Sequence, residues 1–199
     1  MPRIDTVLLD RDGTVIVDEH YLCDPARVRL LPGAGQALAR LAASGARLFL
    51  VSNQSGIGRG YFTQVGHLAV QARLEELLCE HGVRLAGAAF CPHAPDAGCP
   101  CRKPGLGQWE ALRDRHGLDA ATTAVIGDKA SDVAFGHALG AAVTVLVLTG
   151  HGEQQAQSLG LPPLAGEAMD LTGETPDGRP WPDVLARDLA AAVERIVGK

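Results

Sequence analysis

The chain has 199 residues, of which 46% are hydrophobic and 21% charged, and its formal net charge is −5. This length and balance fit one globular domain that can bury a core. The negative charge argues against a nucleic-acid or acidic-membrane surface, and an aromatic content of 4% argues against a base-stacking platform. No apolar run approaches the roughly 20 residues that span a bilayer. We therefore expect a cytoplasmic α/β enzyme with no nucleic-acid or membrane partner.

Short apolar runs alternate with helical patterns along most of the chain. Strands are predicted at residues 6–9, 47–51, 83–90, 124–126 and 143–148. Helices are predicted at residues 33–43, 63–81, 106–116, 132–139 and 183–197. The Gly- and Pro-rich stretch 150–182 predicts mostly loop. Strands separated by helices predict an α/β fold with a doubly wound parallel sheet, in a single domain over residues 1–199.

Polar side chains follow three of the predicted strands. Asp10 comes directly after the first strand, Ser52 and Asn53 end the second, and Asp128 follows the fourth. Because ligands bind outside the carboxyl ends of parallel strands, we expect these side chains to converge on one edge of the sheet.

Asp10 and Asp12 are two residues apart on an extended segment, so both carboxylates can face one substrate. A carboxylate at a strand end can attack phosphorus and form an aspartyl-phosphate. A second carboxyl can protonate the leaving oxygen and then take a proton from the attacking water. A turn with two solvated aspartates is the alternative interpretation.

The segment that follows the fourth strand supplies further acids. Asp128 offers an oxygen ligand to Mg²⁺, and together with Asp10 it makes a two-carboxylate site with room for waters and a phosphoryl oxygen. Asp132 fits a helix cap, or a partner that orients Lys129, at least as well as it fits a metal ligand.

Donors for a phosphoryl group are predicted in the neighbouring loops. Residues 52–56 offer hydroxyl, amide and exposed backbone N–H groups, which suit equatorial phosphoryl oxygens. Lysine is rare in this chain, since it supplies three of the 18 basic residues. Lys103 and Lys129 both lie in loops at strand ends, where a compact positive charge is useful.

The sequence also contains a compact set of metal-ligand residues. Cys91, His93, Cys99 and Cys101 provide three thiolates and one imidazole, the donor set of a tetrahedral zinc site. Because protein side chains would fill all four positions, we expect a structural ion and not a catalytic one. The alternative is a loop of reduced cysteines with a bystander histidine.

Four of these segments resemble the ordered motifs of the haloacid dehalogenase-type phosphatases. Residues 9–14 resemble the first motif, Ser52-Asn53 the second, Lys103-Pro104 the third and residues 127–132 the fourth. The order and the placement at strand ends match over about residues 5–150. The resemblance implies the doubly wound fold of that superfamily without a large cap domain.

Within that superfamily, residues 17–21, 52–62 and 91–104 are similar to the heptose-bisphosphate phosphatase family. This resemblance implies Mg²⁺-dependent removal of the 7-phosphate of D-glycero-D-manno-heptose 1,7-bisphosphate through an aspartyl-phosphate. The product would feed ADP- or GDP-heptose synthesis. The zinc loop would help to shape the sugar site. In the absence of a cap or an obvious dimer motif, we expect a monomer.

The same resemblance implies roles for individual residues. Asp10 is the nucleophile and Asp12 the general acid and base. Asp10, the backbone carbonyl of Asp12, and Asp128 hold Mg²⁺, while Ser52 and Lys103 steady the transferring phosphoryl group. The implied substrate contacts are Asp18, Glu19, His20, Tyr21, Ser52, Asn53, Gln54, Ser55, Arg59, Arg102, Lys103 and Lys129. At position 20 the family commonly has glycine.

Three alternatives remain open at this stage. Histidinol-phosphate phosphatases share the aspartates and the zinc loop, but their second motif differs from the corresponding segment of this chain. Ser55 and Arg59 in that segment favour the heptose-bisphosphate family. A non-enzymatic phosphoacceptor domain of the receiver type would need neither Asp12 nor a zinc loop. A zinc-stabilised interaction module with a dead site is disfavoured by the intact Asp10 and Lys103.

Overall fold

The computed structural model describes residues 3–198, and their strands form one seven-stranded sheet. The strands are β1 (Thr6–Leu9), β2 (Arg47–Asn53), β3 (Gly87–Cys91), β4 (Thr123–Gly127), β5 (Val143–Val147), β6 (Ala168–Asp170) and β7 (Val184–Ala186). Their spatial order is β3-β2-β1-β4-β5-β7-β6. Every neighbouring pair is parallel except β6 and β7, which are antiparallel.

Seven α-helices connect and flank these strands. They are α1 (Ala34–Ala43), α2 (Ser55–Gly58), α3 (Gln64–Glu80), α4 (Gly107–His116), α5 (Ala130–Leu139), α6 (Gly152–Ser158) and α7 (Leu189–Val197). Short 3₁₀ turns lie at Pro25–Arg27 and Ala120–Thr122. No helix within residues 3–198 is long and apolar enough to cross a membrane.

The central strand β1 is buried on both faces, as its uninterrupted apolar sequence predicts. Val7 and Leu9 point into a core layer shared with α1, α3 and α7. Leu8 points to the opposite face, where it meets Trp109 of α4 and Phe135 of α5. Burial of each such side chain contributes about 1.5–3 kcal/mol, so both helical layers hold the sheet. The doubly wound architecture expected from the sequence is confirmed.

Helix boundaries follow local chemistry that the sequence displays. Thr63 caps α3, because its hydroxyl accepts a hydrogen bond of 3.2 Å from the backbone N–H of Gly66. Gly117 ends α4 with a φ of 62°, a left-handed conformation that glycine adopts without strain. These two predicted ends are confirmed.

In the C-terminal quarter of the chain, one prediction is confirmed and another is wrong at its boundary. The stretch 150–182 is mostly loop, as expected, with helix α6 and strand β6 inside it. The helix expected over residues 183–197 begins only at Leu189, because Val184–Ala186 is the buried strand β7. Asp188 accepts a hydrogen bond from the N–H of Ala191 at 2.9 Å and so caps α7. The apolar run of β7 fits a buried strand as well as a helix, and pairing with β5 decides between them.

The third strand is shorter than predicted. It covers Gly87–Cys91, whereas the sequence suggested residues 83–90. Val83 is buried in the core beside α3 and lies outside the sheet, so apolar character there reflects packing and not strand pairing.

Candidate active site

A cavity of about 430 Å³ opens at the carboxyl ends of the central strands. Most of the side chains expected at the site line it. These are Asp10, Asp12, Asp18, His20, Tyr21, Asn53, Gln54, Ser55, Arg102, Lys103 and Lys129. The predicted convergence of strand-end residues on one edge of the sheet is therefore confirmed.

Asp10 lies at the end of β1 and is fixed by both its backbone and its side chain. Its N–H donates to the carbonyl of Ile126 on β4 at 2.9 Å, and its Oδ1 accepts from Nζ of Lys103 at 2.6 Å. Lys103 is almost fully buried and also donates to the carbonyl of Val51 at 2.6 Å. Burial disfavours the ammonium, but the carboxylates of Asp10 and Asp132 outweigh it and raise the pKa of Lys103.

Asp132 is the other anionic partner of Lys103. Its Oδ1 lies 2.6 Å from Nζ of Lys103, and its Oδ2 accepts from the backbone N–H of Lys129 at 3.0 Å. Asp132 therefore caps α5, as one of its predicted roles required, but the lysine it orients is Lys103 and not Lys129.

Asp12 shares the cavity with Asp10 and is held by two neighbours. Gln54 donates from Nε2 to its Oδ2 at 2.9 Å, and Arg11 donates to both oxygens at 3.0 and 3.1 Å. The Asp12 side chain keeps 19% of its surface exposed, so it faces the cavity with a fixed orientation. These contacts suit a carboxyl that exchanges protons with a bound molecule.

Arg11 is fully buried and contacts the ring of His67 in helix α3. Nη1 of Arg11 lies 3.2 Å from Nδ1 of His67, whose ring also contacts Phe90. Burial and the charge of Arg11 lower the pKa of His67 to about 4. His67 is therefore neutral near pH 7 and accepts a hydrogen bond from the guanidinium.

Carboxylate oxygens of Asp10, Asp128 and Asp132 lie within 4.8 Å of one another, and all three residues are buried. Burial and the neighbouring charge of Asp10 raise the pKa of Asp128 to about 7. A hard divalent cation would offset this concentration of negative charge. Glycine at position 13 allows the backbone to pass close to the Asp128 carboxylate, because a Cβ there would overlap Oδ2 of Asp128. The φ of Gly13 is +86°.

The ammonium of Lys129 lies against the same group of oxygens. Its Nζ is 3.2 Å from Oδ1 of Asp128, 3.4 Å from the carbonyl of Asp12 and 3.7 Å from Oδ2 of Asp18. The surrounding carboxylates raise the pKa of Lys129 in spite of its burial. It is a permanent positive charge at the cavity wall.

The end of β2 and the loop after it supply polar side chains with different roles, which the sequence did not distinguish. Asn53 forms a two-way clamp on the backbone of Lys103, accepting from its N–H at 2.9 Å and donating to its carbonyl at 3.1 Å. The hydroxyl of Ser52 is buried and accepts from Gln54 at 3.3 Å. Asn53 thus positions Lys103, and both Asn53 and Ser55 line the cavity.

Three expected substrate contacts lie outside the cavity lining, namely Glu19, Ser52 and Arg59. Glu19 turns away from it and pairs with Arg27 and Arg29. Arg59 is exposed where α2 ends. In contrast, Arg102 lines the cavity, and its Nη1 is buried with no hydrogen-bond partner among residues 3–198. An unpartnered buried guanidinium group is suited to an anionic ligand.

Three cavity residues have no role in the sequence analysis, namely Arg11, Leu22 and Ser131. Arg11 directly follows Asp10, and Ser131 follows Asp128 within one turn, so the strand-end rule would have included both. Leu22 carries no local signal.

The four zinc-ligand candidates come together at the end of β3. Sγ of Cys91 lies 3.5 Å from Sγ of Cys99, and Sγ of Cys101 lies 3.6 Å from Cys99 and 3.2 Å from Nδ1 of His93. Tetrahedral zinc with Zn–S bonds near 2.3 Å separates its sulfurs by about 3.8 Å. The donor set and its spacing therefore fit a tetrahedral zinc ion.

Comparisons with known proteins agree with this geometry. Residues 100–168 match the family described as HAD-hydrolase-like. The D-glycero-beta-D-manno-heptose-1,7-bisphosphate 7-phosphatase of Vibrio cholerae is 36% identical over 151 residues, which cover 72% of this chain and 81% of that protein. The Pseudomonas aeruginosa protein of the same name is 36% identical over 157 residues, which cover 78% of this chain and 86% of that protein.

A solved structure extends the likeness to the whole chain. The crystal structure of D,D-heptose 1,7-bisphosphate phosphatase from B. bronchiseptica, complexed with magnesium and phosphate, has a TM-score of 0.81 to this structure. The alignment covers 98% of both chains at 31% identity. The chain belongs to the heptose-1,7-bisphosphate 7-phosphatase family of HAD-type hydrolases, and it is a phosphoric monoester hydrolase.

Proposed function

We propose that this chain is a Mg²⁺-dependent phosphatase that removes the 7-phosphate of D-glycero-D-manno-heptose 1,7-bisphosphate through an aspartyl-phosphate on Asp10. The observation that carries the proposal is the contact of Asp10 with Lys103 at the floor of a cavity that Asp12 also lines. A nucleophile, a neutralising cation and a proton donor are thus within reach of one phosphoryl group. The substrate assignment is supported by the names of the relatives.

Asp10, Asp128 and the backbone carbonyl of Asp12 are the proposed ligands of Mg²⁺. Their oxygens are hard donors, and the buried carboxylates of Asp10 and Asp128 repel each other when no cation is present. When bound, Mg²⁺ supplies positive charge that offsets the charge of the transferring phosphoryl oxygens. Lys129 touches two of these ligands, the carbonyl of Asp12 and the carboxylate of Asp128, and adds a fixed positive charge beside them.

The first half-reaction forms the bond between Asp10 and phosphorus. Lys103 holds Oδ1 of Asp10, which leaves the other carboxylate oxygen to attack. Asp12 donates its proton to the sugar oxygen as the phosphorus–oxygen bond breaks, and Gln54 and Arg11 keep it pointed at that oxygen. The heptose 1-phosphate then leaves the cavity.

The second half-reaction returns Asp10 to its starting state. Asp12, now a carboxylate, takes a proton from a water molecule that attacks the phosphorus of the aspartyl-phosphate. Lys103 offsets the charge that returns to Asp10 as inorganic phosphate departs. Ser52 and the backbone N–H groups beside it are the proposed donors to the equatorial oxygens.

Arg102 and Lys129 are proposed to bind the distal part of the substrate. Both line the cavity, and Arg102 carries the buried nitrogen that has no partner within residues 3–198. Asp18, His20 and Tyr21 form the rim beside them. The zinc ion is proposed to be structural, holding the loop that leads into Arg102 and Lys103. We further propose that the enzyme is a monomer of the cytoplasm.

The experiment is phosphate release with and without Mg²⁺ from both anomers of the heptose bisphosphate and from histidinol phosphate, with NMR of the sugar product. The proposal predicts fast Mg²⁺-dependent release from one heptose anomer, with the 1-phosphate retained. A higher kcat/KM for histidinol phosphate would overturn the substrate assignment. Loss of the 1-phosphate instead would overturn the assigned position of hydrolysis.

A further inference from the structure

Asp18, His20 and His151 form a second cluster of metal-ligand atoms at the mouth of the cavity. Nε2 of His151 lies 3.2 Å from Oδ2 of Asp18, and Nδ1 of His20 lies 3.7 Å from Oδ1 of the same carboxylate. One ligand atom from each residue lies within 4.8 Å of the others. The cluster is separate from the cysteine set at the end of β3 and from the three buried aspartates.

The spacing in this cluster suits a first-row transition metal. Bonds of about 2.1 Å from a tetrahedral ion to nitrogen and oxygen separate neighbouring ligand atoms by roughly 3.4 Å. The two separations from the Asp18 carboxylate, 3.2 Å at Oδ2 and 3.7 Å at Oδ1, lie on either side of that value. Two imidazoles and one carboxylate select zinc, cobalt or nickel over magnesium, which prefers oxygen ligands.

Backbone contacts hold two of the three ligands in place. The N–H of His20 donates to Oδ1 of Asp18 at 3.0 Å, in a turn where His20 has a φ of 47°. The N–H of His151 donates to Oδ2 of Asp128 at 2.8 Å, which ties it to the floor of the catalytic cavity. The rings of His20 and His151 lie nearly parallel, with centroids 6.0 Å apart. The His20 side chain is 79% exposed, so its ring can rotate onto an ion.

We propose that Asp18, His20 and His151 bind a divalent transition-metal ion such as Zn²⁺. Three protein ligands leave a coordination position open. Asp18 and His20 line the catalytic cavity, while all three residues line a smaller cavity beside it. Two of the three ligands border the catalytic cavity, so an ion held by them would lie at its mouth. The site does not depend on the proposed substrate.

A Co²⁺ titration of the full chain in a large excess of Mg²⁺ tests this site. Cobalt bound by the cysteine set gives intense thiolate charge-transfer bands, whereas a site with two histidines and one aspartate gives only weak d–d bands. The proposal predicts that the wild type binds one weakly absorbing equivalent of Co²⁺ in addition to the equivalent that the thiolates bind. His20→Gly, which relieves the left-handed backbone, and His151→Gln each lose that equivalent and keep the thiolate bands.

His81→Gln is the matched control, because His81 lies outside all metal-capable clusters of residues 3–198. It is expected to bind as much cobalt as the wild type. Cobalt that enters the three-aspartate site stays in both histidine variants, so the difference counts only the new site. A wild type without the weakly absorbing equivalent, or histidine variants that retain it, would overturn the proposal. Circular dichroism of each variant confirms that the fold is intact before the comparison.

Discussion

Nζ of Lys103 lies 2.6 Å from Oδ1 of Asp132, and each side chain exposes only 2% of its surface. The same ammonium lies 2.6 Å from Oδ1 of Asp10, so Lys103 is held between two carboxylates at the wall of the cavity. A buried cation between two carboxylates stays charged, as the raised pKa of Lys103 indicates. Asp132 therefore fixes both the charge and the position of the group that meets the nucleophile.

Substitution of Asp132 by Asn should lower kcat by about 10- to 100-fold, because one charge-assisted bond to Lys103 is lost. KM should change less, since Asp132 acts through Lys103. Asp188→Asn is the matched control, because Asp188 also caps a helix but lies at α7, away from the cavity. Steady-state kinetics of both variants check the prediction, and an unchanged kcat in Asp132→Asn would contradict the role.

A pair of glycine substitutions separates backbone strain from crowding at the carboxylates. Gly13 and Gly45 have φ values of +86° and +91°, so alanine at either position costs about 1 kcal/mol of stability. A Cβ at position 13 also overlaps Oδ2 of Asp128, whereas one at position 45 meets nothing within 4 Å. Gly13→Ala should therefore lose most of its turnover and its Mg²⁺ affinity. Gly45→Ala should lose stability alone, and equal kinetics in the two variants would rule out this account.

The cysteine set gives a prediction about stability. Cys99→Ser removes one of four proposed zinc ligands, so the variant should lose tightly held zinc and melt several degrees lower. Cys79→Ser is the control, because Cys79 is an exposed free thiol outside the set. Metal analysis after dialysis and thermal unfolding provide the two readouts. Equal zinc content in both variants would refute the ligand assignment.

His67 gives a prediction about pH. Its pKa falls from 6.5 to about 4 in the folded chain, so the unfolded chain binds the proton first as the pH drops. Its contribution to stability is present above pH 6.5 and is lost as the pH falls toward 4. The loss is at most about 3 kcal/mol. His67→Gln can still accept from Arg11 but does not titrate, so its unfolding free energy should depend less on pH in that window. A variant with the wild-type pH dependence would contradict the assignment.

The sequence allowed candidate site residues to be predicted where polar side chains lie at the ends of predicted strands. Asp10 and Asp128 directly follow buried strands and Ser52 lies near the end of β2, and parallel strands bring their carboxyl ends to one edge. The pairing of Lys103 with Asp132 could not be predicted, because it depends on side-chain directions in a loop and in the first turn of α5. The same limit applies to Glu19, which neighbouring arginines draw away from the cavity.

The fold was predictable where the apolar pattern was unambiguous and long. The alternation of strands and helices up to β5 leaves few arrangements, since parallel crossovers are right-handed and short. The strand β7 is only three residues long, and its apolar run leads directly into the amphipathic α7. Pairing with β5 and with β6 makes this run a strand, and local sequence does not contain that information.

The most direct test of the central claim is the phosphate content of the protein after acid quench during turnover of substrate labelled with ³²P at the 7-position, in the presence of Mg²⁺. The account predicts a substoichiometric label on the wild type that maps to Asp10, and none on Asp10→Asn, which should also lose turnover. An equal label on both proteins, or turnover in Asp10→Asn close to that of the wild type, would contradict the assignment of Asp10 as the nucleophile.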